Sequence, residues 1–198
     1  MNKLFAFIFI LTLPSLLFSQ GVNKTNLGFM AGLSVPTASK DFRNSHSSGF
    51  NFNINVDHTV SESIVLGGEL DFARQTGTIT DIYPGYSSYT KDNNYQFISL
   101  DAFMKLQNNL AHVNEGQFFV KAGGGLWLAA IDKGTGHGGG PGPGYFGILF
   151  GPGFNYLPGN NMKITSALEY RLFIGKGEAE NISLLQFKVG FSFCLNPR

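Results

Sequence analysis

Phe50-Asn51-Phe52-Asn53-Ile54-Asn55-Val56-Asp57 alternates apolar and polar side chains without interruption. Successive side chains of a β-strand point to opposite faces. Phe50, Phe52, Ile54 and Val56 therefore form one apolar face, and Asn51, Asn53, Asn55 and Asp57 one polar face. A helix would scatter the same residues around its axis, so the pattern predicts a strand. The function turns on which face looks inward.

The alternation returns at 27–35, 64–75, 95–106, 117–131, 145–156, 162–174 and 183–195. With the opening stretch this predicts about eight strands, each near the roughly 9–11 residues that cross a bilayer at a tilt. Polar loops at 36–48, 76–94, 132–144 and 175–182 alternate with turns at 58–62, 108–116 and 157–161. Pro152 has no N–H to give a ladder, so a bulge or a missed pair is expected there. One meandering antiparallel sheet of this size closes most naturally into a barrel, which removes its edges. The fold class read from the sequence is all-β, an eight-stranded antiparallel up-and-down transmembrane β-barrel.

Composition supports this and excludes other classes. The chain has 26 Gly and 20 Phe among 198 residues, which argues against a helical bundle. Residues 1–19 read as a secretory signal peptide: Lys3 gives the positive start, 4–17 the apolar run, and Ser19 the small residue for cleavage. The run is shorter than the roughly 20 residues of a spanning helix. Residues 20–25 form a short lead, and 26–198 the barrel. Basic residues number 14 and acidic 13, so removing Lys3 with the leader leaves them equal. Neutrality argues against nucleic acid as a partner, which needs a basic surface. Cys194 is the only cysteine, so no internal disulfide can form, and no lipoprotein anchor is indicated after the cut.

Three observations orient the faces. The polar face carries Gly28, Gly32, Gly67, Gly123, Gly125, Gly147, Gly151, Gly153 and Gly190. An eight-stranded barrel is barely wide enough inside for its own side chains, so small residues belong there. The same face balances five acids (Asp57, Glu69, Asp71, Asp101, Glu169) against five bases (Lys105, Lys121, Lys163, Arg171, Lys188). Buried charges need partners, so this predicts a lumen of ion pairs. Folding the hairpins puts Asp101 beside Glu69 and Lys121, puts Glu169 beside Lys188, and lets Arg171 reach across to Glu69 or Asp71. Lastly, Phe50, Phe72, Phe118, Phe146, Tyr156 and Phe193 lie near the ends of the apolar face, as interfacial girdles do. The lipid-facing set is then Phe50, Phe52, Ile54, Val56, Leu70, Phe72, Leu100, Leu126, Phe150, Leu168, Phe187, Phe191 and Phe193.

On this strand pattern, its alternating loop lengths and the last strand Leu184-Leu185-Gln186-Phe187-Lys188-Val189-Gly190-Phe191-Ser192-Phe193, the chain resembles the OmpA/OmpX-like "porin family" of small outer-membrane barrels. The resemblance spans about 26–195 and rests on architecture. It implies the outer membrane of a gram-negative bacterium, membrane lipids around the barrel, and delivery by the outer-membrane insertion machinery. It also implies a structural role, or contact of the loops with an extracellular protein or surface ligand; a few members act on lipid A. Members usually end on an aromatic residue, whereas here Cys194-Leu195-Asn196-Pro197-Arg198 follows Phe193.

No catalytic residue, cofactor or metal site is expected. The glycine run at 134–140 lacks the Lys-Ser/Thr and the helix of a phosphate loop. His46, His58, His112 and His137 lack metal-ligand spacing and divide between the two barrel ends. His46 with Ser48 and Asp41 is the one arrangement that imitates a lipid A deacylase, but it lies in a polar loop. Trp127, Phe119, Phe97, Phe103 and Phe173 point inward with the charges and predict a plugged lumen. Tyr83, Tyr86 and Tyr89 among Ser and Thr give the second loop a contact-surface composition. The alternatives are a lipid A-modifying barrel and a soluble ligand-binding barrel of opposite polarity.

Overall fold

The computed structural model describes residues 24–38, 40–81, 89–92, 94–109, 116–132, 141–159, 161–175 and 181–195. The expected leader at 1–19, Tyr83, Tyr86, His112, His137 and the 134–140 glycine run lie outside them. In chain order the elements are β1 (Thr25–Ala38), α1 (Lys40–Ser45), β2 (Gly49–Thr59), β3 (Ile64–Gln75), β4 (Thr78–Asp81), β5 (Tyr89–Asp92), β6 (Asn94–Asn109), β7 (Gly116–Asp132), β8 (Pro141–Gly159), β9 (Met162–Gly175) and β10 (Ile182–Cys194).

Eight of the strands close one antiparallel barrel in the order β1-β10-β9-β8-β7-β6-β3-β2. Each therefore pairs with its chain neighbour in the barrel, and β1 seals against β10 from Asn26↔Cys194 to Ala38↔Ser183. The strand ends that lead from β2 to β3, from β6 to β7 and from β8 to β9 lie at one end of the barrel, here the lower. The upper end takes α1 and the separate β4–β5 hairpin, together with the strand ends that lead from β7 to β8 and from β9 to β10.

Two upper features depart from the expected polar loops. Residues 40–45 form a helix, and 78–92 carry a short hairpin. Most barrel strands also outrun the expected span, β8 reaching 19 residues. At Pro152 the β8–β9 ladder skips Gly151 and Pro152, then resumes at Gly153↔Ala167, the missed pair expected of an absent N–H.

The alternation of the opening stretch becomes an alternation of environment. Asn51, Asn53, Asn55 and Asp57 are buried; Phe50, Phe52 and Val56 are exposed. The inversion runs round the barrel: Leu126 is 70% exposed and Leu100 61%, while Arg171 and Lys188 are 0%. The expected lipid-facing residues, Ile54, Leu70, Phe72, Phe150, Leu168, Phe187, Phe191 and Phe193 included, are all exposed or half-buried. A water-soluble protein rarely exposes a continuous apolar patch beyond a few hundred Å². This belt encircles the molecule, and its strands satisfy their own backbone groups, as a hydrocarbon surrounding demands.

A candidate functional site in the barrel interior

The interior is layered from the sequence upward. Inward-facing positions of β3, β6, β7, β9 and β10 supply Glu69, Asp71, Asp101, Lys121, Glu169, Arg171 and Lys188, all buried. They meet at mid-height. Arg171 donates through Nη1 to Asp101 Oδ2 at 3.0 Å and through Nη2 to Glu169 Oε2 at 2.8 Å. Its Nη2 also holds Glu69 and lies 3.6 Å from Asp71. Lys121 Nζ bridges Glu69 Oε2 at 2.6 Å and Glu169 Oε1 at 2.7 Å. Lys188 Nζ reaches Glu169 Oε2 at 3.0 Å and also holds Asp71.

This arrangement resolves a conflict created by strand register. Glu69 stands directly opposite Asp101 on adjacent strands, and Lys105 opposite Lys121. Like charges so placed repel. Arg171 crosses the lumen and bonds both carboxylates of the first pair. The two lysines divide, Lys121 rising to Glu69 and Glu169 while Lys105 takes Asp57 at 2.7 Å. The Phe103 ring accepts both ammonium groups, at 4.6 Å and 4.9 Å.

The expected neighbourhood of Asp101 and Lys121 is corrected by this register. Asp101 faces Gly125, four positions from Lys121, and its partners are Arg171, Ser99 and Trp127. Lys163 is a second correction to the expected network: it makes no ion pair with a described carboxylate, although it lines the small lower cavity beside Asp57 and Lys105. The reason is competition, since Lys105 and Asn26 already occupy the two Asp57 oxygens.

Above the charges lies an aromatic layer that sequence reading found only in part. Phe97, Trp127 and Phe173 face inward as expected, and Phe42 of α1, Tyr145 and Leu184 join them. Trp127 packs edge-on to Phe173 at 4.3 Å between centroids, and Phe97 stacks on Phe173 at 5.0 Å. The indole N–H donates to Asp101 Oδ1 at 2.9 Å, and the ring lies 4.9 Å from the Arg171 guanidinium carbon. Gly147 makes room for that ring, because a Cβ there would collide with the indole. Below the charges, Phe119 packs with Met30 and Ala167.

His46 does not meet Ser48, which is exposed; the Asp41 side chain lies outside the described residues. The His46 ring stacks on Phe42 at 4.3 Å and meets Tyr95 edge-on at 4.9 Å. Its Nδ1 lies 3.1 Å from the Phe42 carbonyl and 2.8 Å from Ser45 Oγ. A carbonyl only accepts, so the tautomer that bonds Phe42 carries its proton on Nδ1, and in it that nitrogen is no base for Ser45. His58 is bonded to Thr25 at 3.0 Å at the lower end. Among the described residues no group of three His, Cys, Asp or Glu could hold a metal ion.

A family model described as "Putative MetA-pathway of phenol degradation" matches residues 9–172. No curated protein matches the chain. Among solved structures, Neisserial surface protein A is similar at 14% identity, covering 85% of this chain and 96% of that one, with TM-score 0.63. The attachment invasion locus protein Ail of Yersinia pestis, solved with the heparin analogue sucrose octasulfate, is similar at 13% identity. That likeness covers 87% of this chain and 99% of Ail, with TM-score 0.53. OprG, an outer membrane protein of Pseudomonas aeruginosa, is similar at 10% identity over 89% and 98% of the two chains, with TM-score 0.51. At these identities the likeness is one of fold, the small outer-membrane barrel.

Proposed function

The chain belongs to the family described as "Putative MetA-pathway of phenol degradation", and we propose that it is an integral outer-membrane barrel of a gram-negative cell, closed to bulk solutes. Its role is structural, or contact with an extracellular protein or surface ligand through the upper rim. The observation that carries this reading is the inverted polarity, with Leu126 and Leu100 outside and Arg171 and Lys188 inside. Cross-lumen ion pairs below an aromatic layer support a closed interior. Large aqueous channels use about 16–18 strands, and this barrel has eight. Membrane fractionation tests the placement: the protein stays with outer membranes through an alkaline carbonate wash, and its release would end the reading. Catalysis has no part in it, so lipid A mass stays the same with or without expression, and equally with His46→Ala.

A second reading takes the pathway in the family's description, with a small phenolic compound as ligand. It is favoured by an apolar cleft of about 470 Å³ at the upper wall, where Leu126, Leu128, Phe146 and Ile174 adjoin Trp127 and Tyr145. Trp127 is the only tryptophan, so its emission reports on that cleft. Phenol binding there gives a saturable emission change, whereas a change linear in phenol is collisional quenching and contradicts it.

A further inference from the structure

The upper rim carries an open polar cleft of about 470 Å³, separate from the interior, between α1 with the segment after it and the tops of β3 and β6. Its wall is held in place. His46 bridges to Gly77, and the Ser47 N–H donates to the Thr76 carbonyl at 2.7 Å. Arg43, Asn44, Ser45, Ser47, Arg74 and Asn94 line it, and none of the described lining residues is acidic. Arg43 and Arg74 make no ion pair with a described carboxylate, and the Arg74 Nε is a buried donor with no partner. An unpaired buried donor on a cation is costly, and a charged acceptor removes that cost.

The depth of the cleft points to the source of that acceptor. Arg74 faces outward, opposite Phe50 of β2 and Gln96 of β6, and one position further along its face than Phe72. It therefore stands at the upper edge of the apolar belt, where an arginine lays its stem on apolar surface and lifts its head to the interface. We infer that this cleft binds a phosphate group on the headgroup of an outer-leaflet lipid, with Arg43 and Arg74 as the paired cationic donors and the Ser and Asn side chains as neutral ones. Planar guanidinium groups suit a phosphate better than point charges do. The inference rests on the membrane reading, which the carbonate wash checks separately, while heat-modifiability in SDS electrophoresis checks closure of the barrel.

The test uses the full chain, extracted from membranes in a maltoside detergent that carries no phosphate, with adducts counted by native mass spectrometry. Bis-phosphorylated lipid A binds the wild type about tenfold or more tightly than it binds the Arg43→Gln/Arg74→Gln variant. Dephosphorylated lipid A binds both proteins equally weakly, and inorganic phosphate in excess leaves the lipid adduct in place. Equal retention of bis-phosphorylated lipid A by wild type and a heat-modifiable double variant overturns the inference, as does wild-type binding of dephosphorylated lipid A as tight as that of the phosphorylated lipid. Displacement by inorganic phosphate would show a free-anion site and overturn the headgroup as source. If the double variant fails to close, Arg43→Gln alone decides, because Arg43 is exposed on α1 and takes no part in closure.

Discussion

Arg171 and Glu69 lie 102 residues apart in the chain, on strands that never pair, and meet at the centre of the lumen. The bond ties opposite walls of the barrel together. Its cation also touches Asp101, Glu169 and Asp71, so four carboxylates share one guanidinium, and Asp101 has no other cationic partner among the described residues. Removing it leaves buried charge uncompensated. Arg171→Met is expected to cost about 3–5 kcal/mol, read as a lower urea midpoint for loss of the heat-modifiable band. Adding Glu69→Gln and Asp101→Asn restores part of that loss, because the orphaned charges go with it. An additive triple variant would contradict the coupling.

The lipid face makes a separate prediction. Ile54→Arg, near the middle of β2, should cost about 2–4 kcal/mol in lipid vesicles. The neighbouring lumen position is also sensitive, because Asn53 Nδ2 donates to Glu69 Oε2 at 2.7 Å. Medium decides between the two: the Ile54→Arg penalty grows with bilayer thickness, whereas that of Asn53→Arg does not. A thickness dependence at Asn53 alone would mean the faces are exchanged.

Trp127 and Gly147 form a lock that single substitutions can open from either side. Gly147→Val drives a side chain into the indole, which Phe173 and Arg171 hold from other directions. Overpacking of this kind costs about 1–3 kcal/mol. Trp127→Phe keeps the packing and loses the N–H to Asp101, about 1.5–3 kcal/mol for a bond to a charged acceptor. Because both act at one site, the combined variant falls short of the sum; additive midpoints would show that the two residues are independent.

Closure of the lumen predicts electrical silence. In planar bilayers the wild type is expected to show no steps of nanosiemens scale, on the proposal that the cross-lumen ion pairs and the aromatic layer close the interior. Open-pore steps of that size would contradict the packed interior.

Much of this architecture was legible in the chain because a barrel strand repeats one rule, an inward residue followed by an outward one. Glycines such as Gly147 and the balanced charges gave the polarity, since only a narrow lumen has use for both. The features that escaped are those that tertiary contacts create. Residues 40–45 are too short to be helical alone. They form α1 while Phe42 reaches into the aromatic layer beside Tyr95 and Phe97. The β4–β5 hairpin did leave a trace in its threonines, Ile79 and Tyr89, but polar flanks hid it. Lys121 lacks its expected partner because the β6–β7 register sets Asp101 opposite Gly125, and composition does not reveal where a hairpin pivots.

The central claim is that the odd and even residues of Phe50-Asn51-Phe52-Asn53-Ile54-Asn55-Val56-Asp57 belong to different solvents. Spin labels placed singly at these eight positions, in a Cys194→Ser background reconstituted in bilayers, measure this through collision with oxygen and with a water-soluble nickel complex. Oxygen accessibility is expected to peak at 50, 52, 54 and 56, with low accessibility to both reagents at 51, 53, 55 and 57. Oxygen peaks at the odd positions, or nickel access at the even ones through the middle of the strand, would contradict it.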